Sequence, residues 1–260
     1  MTRYFNVFTT TLLAVCLTSC LFSEGVRAEN TKESKPVYDA IAGSQADDDK
    51  YEWTSLFDGQ TLKYWIDLKD AGDDVVRVKD GELILGMGPT TTSIRFDEEG
   101  AGFKFPRENY ELEYVARRTS GSDFFAAATV PIGENYATFV NGGWGGFVAG
   151  ISSVDDMDAS ENSTSSFYNF KTNQWYRFRV QVTKRVIRVW INDEKIIDYA
   201  IEGHSLKTRF EVSRCQPLGF ASWVSEGVLK VVRFRMLNED ELKDMNAKAD
   251  ATPQPFNWGK

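Results

Sequence analysis

Through the middle of the chain, apolar and polar residues alternate with a period of two. That is the mark of strands with one face in a core. In Tyr110–Arg117, Leu112, Tyr114 and Ala116 fall on one face, and Glu111, Glu113 and Arg117 on the other. Trp175–Val182 repeats the pattern, with Phe178, Val180 and Val182 inward and Arg177, Arg179 and Gln181 outward. In Ile187–Asn192 the inward set is Ile187, Val189 and Ile191, and the outward set is Arg188, Trp190 and Asn192. Val75–Val78 and Glu82–Leu85 flank Lys79-Asp80-Gly81, and Asp-Gly between apolar runs predicts a tight hairpin. Phe124–Val130 is apolar except for Thr129 and suits a buried strand. Ile196-Ile197, Leu218–Val224 and Val228–Met236 supply further strands. Helical periodicity is nowhere sustained and no internal repeat is visible. The pattern predicts an all-β, two-sheet antiparallel jelly-roll sandwich from residue 51 to 237.

The ends read differently. Residues 1–28 have an Arg3 n-region and an apolar stretch, Val7–Phe22, that is short for a membrane span. They read as an export signal with two candidate exits. Val26-Arg27-Ala28 resembles a small-x-small cleavage site, and Leu17-Thr18-Ser19-Cys20 resembles a lipobox that would lipidate Cys20. Either exit places the protein in the periplasm, cell envelope or extracellular space. Residues 29–50, with Pro36 and the run Asp47-Asp48-Asp49-Lys50, read as a polar tether. In 238–260, Asn238 is an N-cap for a helical turn or two, and a loosely held tail with Pro253, Pro255 and Trp258 follows.

Composition narrows the classes. Of 260 residues 42% are hydrophobic and 13% aromatic, which argues for a packed, strand-rich domain. The net charge of −8, with no basic block, argues against nucleic acid and anionic membrane surfaces as partners, apart from a lipid anchor. Cys16 and Cys20 lie in the leader, so Cys215 stands alone and no internal disulfide framework exists. It reads as a small buried hydrophobe.

Several residues are candidates for chemistry. Glu111 and Glu113 share one face, a spacing at which two carboxylates can do acid–base work, or simply form salt bridges with Arg233 and Arg235. Asp156, Asp158, Ser160 and Asn162 present oxygens at alternate positions, a pattern that hard cations favour. A divalent cation is therefore a candidate cofactor. The helix–loop–helix calcium pattern is broken by Glu161 and Phe167, and an ordered acidic loop reads equally well. Asn141-Gly142-Gly143-Trp144-Gly145-Gly146 sets one Trp among four glycines, either as a stacking platform for a ring or as the plug of a bulged turn. His204 is the only histidine, and there is no nucleophile elbow to go with it. HExxH, CxxC and GxGxxG motifs are absent.

These pieces resemble a known family. Ser55-Leu56-Phe57-Asp58-Gly59-Gln60-Thr61-Leu62-Lys63-Tyr64-Trp65 is similar to the opening LFxGxxLxxW of the bacterial 3-keto-disaccharide hydrolases, also described as 3-keto-glycoside lyase/hydratases. Val78–Leu83 resembles their DGxL hairpin, Asn109–Tyr114 their DFEL strand, Trp175–Asn192 their W…VWLNG hairpin, and Pro217–Phe220 with Val231–Arg235 their closing segment. The likeness covers about Trp53–Leu237. It implies a concanavalin A-like jelly roll and a carbohydrate ligand already oxidised to a ketone at C3. A base would then remove the C2 proton, the C1 substituent would leave, and water would add. The chain departs from the family at Gly145–Asp155, where the usual Glu and Gln of a GYEVQILD strand are missing. The implied base falls to Asp158, Glu161 or Asp155, and the candidate acid is Glu113. Arg117, Arg179 or a cation would hold the enolate, and Trp144 and Trp190 would stack on sugar. A non-catalytic carbohydrate-binding module and a displayed structural domain are the alternatives.

The leader generates the first prediction. If Leu17–Cys20 is a lipobox, Cys20→Ala moves the protein from the membrane fraction to the soluble fraction. Unchanged fractionation with a mature start at Glu29 identifies plain secretion.

Overall fold

A computed structural model describes residues 39–47, 50–73 and 75–252. The leader and the tail with Pro253, Pro255 and Trp258 lie outside the described residues. In chain order the strands are β1 (Thr54–Ser55), β2 (Trp65–Asp67), β3 (Val76–Lys79), β4 (Glu82–Leu85), β5 (Thr91–Phe96), β6 (Tyr110–Gly121), β7 (Ala127–Ile132) and β8 (Asn135–Gly142). They continue with β9 (Val148–Ser152), β10 (Ser166–Phe167), β11 (Tyr176–Val182), β12 (Val186–Ile191), β13 (Glu194–Ala200), β14 (Gly219–Trp223) and β15 (Ser225–Met236). The first sheet has the order β13-β12-β11-β6-β15-β4-β3, with β1 also paired to β15. The second has the order β10-β9-β8-β7-β14-β5-β2. Pairing is antiparallel throughout, for example Phe178 opposite Tyr114 and Phe220 opposite Ile94. The result is the jelly-roll sandwich that the alternation predicts.

The inward sets are the predicted ones. Leu112, Tyr114, Ala116, Phe178, Val180, Val182, Ile187, Val189 and Ile191 all lie in the core between the sheets. Tyr114 and Phe178 stack with ring centres 4.8 Å apart, and Phe220 meets Tyr114 edge-on at 5.0 Å. At the β3–β4 hairpin, Asp80 (φ 53°) and Gly81 (φ 78°) both take positive φ. A two-residue turn that matches the strand twist requires this, which is why Asp-Gly announces it.

The outer face of the first sheet departs from expectation. It is not a solvated surface. Helix α1 (Ala40–Gln45), within the stretch read as a tether, lies on β6 and β11. Ser44 Oγ donates to Glu113 at 2.5 Å, and Asp47 pairs with Arg177. Glu113 is fully buried and also accepts from Arg177 Nε at 2.7 Å and Arg233 Nε at 2.9 Å. Beyond β15, the helix Glu239–Ala251 runs for 13 residues, longer than the turn or two the sequence suggests. A reciprocal capping box between Asn238 and Glu241 starts it. Met245 and Ala249 pack on Val186 and Leu237. Arg235 bridges Glu111 at 2.6 Å and Glu241 at 2.5 Å. Alternation shows which side chains leave the core, but it does not show what lies over them. Here the helices Ala40–Gln45 and Glu239–Ala251 lie over the sheet.

Glu113 thus acts as the shared counter-charge of Arg177 and Arg233 beneath α1. Glu113→Ala strips two desolvated guanidiniums of that carboxylate and should cost about 3–5 kcal/mol. Urea unfolding of the two proteins measures it, and a loss below about 1 kcal/mol would mean that the site is effectively solvated.

Candidate functional site

The outer face of the second sheet is open. Alternation in β8 sends Ala137 and Phe139 into the core and leaves Thr138 and Val140 outside. Ala127 of β7, Ser152 of β9 and Trp223 of β14 reach the same face, and together these side chains floor a pocket. Its walls come from three connections. Asp123 and Phe124 precede β7, Trp144 lies in the β8–β9 turn, and Glu211 and Val212 belong to the 3-10 segment Phe210–Cys215 before β14, which Arg209 caps. The pocket encloses about 180 Å³, small against the several hundred Å³ usual for ligand sites. It suits one small ring, with anything larger extending into solvent.

The turn that carries Trp144 is unusual. Gly142 (φ 80°), Trp144 (φ 48°), Gly145 (φ 84°) and Gly146 (φ 99°) all adopt positive φ. Glycine tolerates this, but a bulky aromatic does so only at a conformational cost. The indole is nonetheless 42% exposed on the pocket wall, so burial of the ring does not explain the strain. The plug of a bulged turn would be buried.

Three carboxylates stand around this pocket in different states. Arg209 pairs with Glu211 at 2.9 Å and with Asp158. The Arg209 guanidinium, opposed by partial burial, holds the Glu211 carboxyl below the usual range. Asp158 also accepts from Ser152 Oγ at 3.4 Å. Asp123 differs from both. Its Oδ1 accepts the Phe124 amide at 2.8 Å, and no cationic side chain among the described residues pairs with it. A half-buried carboxylate outside any ion pair, with only the more distant Arg118 guanidinium acting on it electrostatically, stands beside an exposed indole and can take a proton from a bound molecule.

The structure brings some of the sequence candidates together and separates others. Trp144 lines the pocket, and Asp158 joins it through Arg209. Glu161 lies one turn beyond Asp158 and is exposed, its side chain without a partner among the described residues. Asp155 (φ 51°) turns to His204 Nδ1 at 2.6 Å and the Ser205 amide at 2.8 Å. Burial pushes its carboxyl up, but the Ser205 amide and His204 outweigh that and hold it below the ordinary value. Asp156 pairs with Lys207, and Asn162 donates to the carbonyls of Ile151, Met157 and Asp158, so the alternating oxygens diverge. Among the described residues no three His, Cys, Asp or Glu side chains converge as a metal site would require.

Glu113, Arg117, Arg179 and Trp190 lie across the sandwich, on the outer side of the first sheet. Arg117 pairs with Glu82 at 2.9 Å and stacks on Trp175. Arg179 stacks on Trp190 at 5.0 Å. Cys215 is buried, and burial pushes its thiol up to about 12, so it is inert as a nucleophile. The reading from sequence missed Asp123, Arg209, Glu211 and Trp223. The available signals were an Asp abutting the apolar run Phe124–Val130 and the charged pair flanking Phe210.

The family model described as "3-keto-alpha-glucoside-1,2-lyase-like domain" matches residues 52–237. No curated protein matches the chain. Among solved structures, Crh5 transglycosylase in complex with NAG is similar at 14% identity and a TM-score of 0.49, over 72% of this chain and 84% of that one. Alginate lyase A1-II', of polysaccharide lyase family 7, is similar at 12% identity and 0.44, over 69% and 97%. The carbohydrate binding module CBM66 from Bacillus subtilis is similar at 11% and 0.39, over 71% and 96%.

The Arg209–Glu211 pair makes a prediction independent of any substrate. Arg209→Met should raise the Glu211 titration towards the ordinary glutamate value. In the wild type the pair's stabilisation is present above the unfolded glutamate value and is lost as pH falls through the lowered folded one. The variant should lack that acid-side loss. Carboxyl-carbon NMR of Glu211 reads it, and an unmoved titration would mean that the pair does not persist in solution.

Proposed function

The chain belongs to the 3-keto-alpha-glucoside-1,2-lyase-like family, a carbohydrate-active one, and on that premise we propose that it is an exported enzyme that cleaves 3-keto-glycosides at the pocket of Trp144, Asp123 and Arg209. The observation that carries this is the meeting of a stacking plane, an unpaired carboxylate and a guanidinium in one ring-sized pocket. The oxidised sugar lies on the Trp144 indole. Its C3 ketone acidifies the C2 hydrogen, and the Asp123 carboxylate takes that proton. The C–H pair moves onto the ketone oxygen as an enolate, which the Arg209 guanidinium faces. The pair then returns to expel the C1 oxygen, which takes a proton from water at the open side. Water adds across the resulting enone and gives the free keto sugar. Asp123 fits the base better than Asp158, whose carboxylate is engaged by Arg209. Glu161 stands outside the lining, and Glu113 lies on the other sheet.

Turnover of a 3-keto-glucoside by purified variants tests the reading. Asp123→Asn should lower kcat by roughly 10²–10⁴-fold. Trp144→Ala should act mainly on KM, and Glu161→Gln should change little. Full activity in Asp123→Asn removes it as the base. If the wild type shows no turnover but binds sugar through Trp144, the domain is a binding module instead.

A further inference from the structure

Arg118 is a buried cation whose cost the core does not explain. Its alternation in β6 puts it on the face of Tyr114 and Ala116, so the guanidinium points between the sheets. It is 6% exposed, and among the described residues no carboxylate forms an ion pair with it, the Asp123 carboxylate acting on it only at longer range. Nη1 donates to the Asp123 carbonyl at 3.2 Å and Nη2 to the Phe170 carbonyl at 3.1 Å. Nε has no partner. The group lies over the Phe125 ring at 5.7 Å. An apolar side chain would fill such a place at lower cost.

The two pocket features that need positioning both rest on Arg118. A Cβ on Gly146 would sit 3.0 Å from Arg118 Nη1 and 3.2 Å from the Ser122 carbonyl. A Cβ on Gly142 would sit 3.4 Å from Nη1. Arg118 is therefore packed against the outer two of the four glycines around the strained Trp144. The same nitrogen bonds the backbone of Asp123, whose carboxylate oxygen lies 3.9 Å from the Cβ position of Gly143. One guanidinium from the first sheet thus props two segments at the rim of the second sheet.

We propose that Arg118 is a positioning residue of the site: a strut between the sheets that fixes the Trp144 turn and the Asp123 backbone relative to each other, without itself touching substrate. The assignment rests on the pocket being the site of the proposed reaction, but its structural half can be tested without turnover.

Three variants test it. Arg118→Met removes the strut, Arg118→Lys keeps the charge but can reach one carbonyl at a time, and Gly146→Ala disturbs the contact with Arg118 intact. Lys and Ala keep the test open should Met fail to fold. In ligand-free protein all folded variants should shift the Trp144 indole NMR signal, identified by its loss in Trp144→Ala, while the far-UV CD stays that of a β-sandwich. With a 3-keto-glucoside, Arg118→Lys and Gly146→Ala should lower kcat/KM by roughly 10²-fold, the scale of a small misplacement in an active site. In the Trp144→Ala background the same changes should cost far less, because interacting residues are not additive. An unmoved indole signal, or penalties that add fully to that of Trp144→Ala, would overturn the positioning role. Absence of wild-type turnover would count against the proposed reaction alone, because the indole signal still decides whether Arg118 sets the turn.

Discussion

Every strand in this molecule has two faces, and the core claims one of them. The inward residues are large and aromatic: Tyr110, Tyr114, Tyr176, Phe125, Phe139, Phe178 and Phe220 are fully buried. Such rings interlock at centre distances of 4.8–6.5 Å and leave no room for a ligand between the sheets. Any chemistry must then occupy an outer face. Of the two outer faces, the first is partly covered by described helices. The helix Ala40–Gln45 and the helix Glu239–Ala251 both lie over the first sheet. Open grooves remain beside them along residues 51–55 and β15, and the small ring-sized pocket lies on the second sheet.

The closure of the first sheet is ionic as much as apolar. Glu111 and Glu113 are nearly or fully buried, which carboxylates reach only when charge and hydrogen bonds are met. Gln181, Arg235, Arg177, Arg233 and Ser44 meet them. Replacing such an arrangement wholesale with apolar residues could cost nothing, whereas breaking it at one member is expensive. The charges also tie two helices to the sheet: Ser44 and Asp47 reach Glu113 and Arg177, and Glu241 reaches Arg235. The two carboxylates on one face, a spacing that suits acid–base work, here contact the groups that hold the helices Ala40–Gln45 and Glu239–Ala251 on the sheet.

That case shows how far sequence reaches. Alternation placed Leu112, Phe178 and Val189 inward without error because the period of a strand is a local property. Asp80-Gly81 gave its turn for the same reason. Glu113 was correctly placed on the outer side, but its role depends on Ser44 and Arg233, 69 and 120 residues away. Nothing local encodes that. The site divides in the same way. Trp144 was legible because four glycines around one Trp are conspicuous in any chain. Asp123 was not, because an Asp at the head of an apolar run is ordinary until β14 and the 3-10 segment are folded beside it. Arg209 and Glu211 come with that segment, more than 80 residues further on.

The charge around the pocket restricts what can enter. Asp123, Asp158 and Glu211 outnumber Arg209 at the surface, and adding the buried Arg118 does not reverse the balance. An anionic sugar such as a uronate would meet like charge in a small, partly desolvated space, where repulsion is weakly screened. A neutral keto sugar meets no such barrier. In the proposed reaction, neutrality at the start also leaves Arg209 a use. A guanidinium already shared by two carboxylates binds a neutral ketone weakly, but it gains more as charge develops on that oxygen. An interaction stronger in the transition state than in the ground state raises kcat rather than merely tightening binding. The crowding of carboxylates round Arg209 is thus compatible with the proposed catalysis, provided the proton acceptor is a fourth party to that cluster, the part the proposal gives to Asp123.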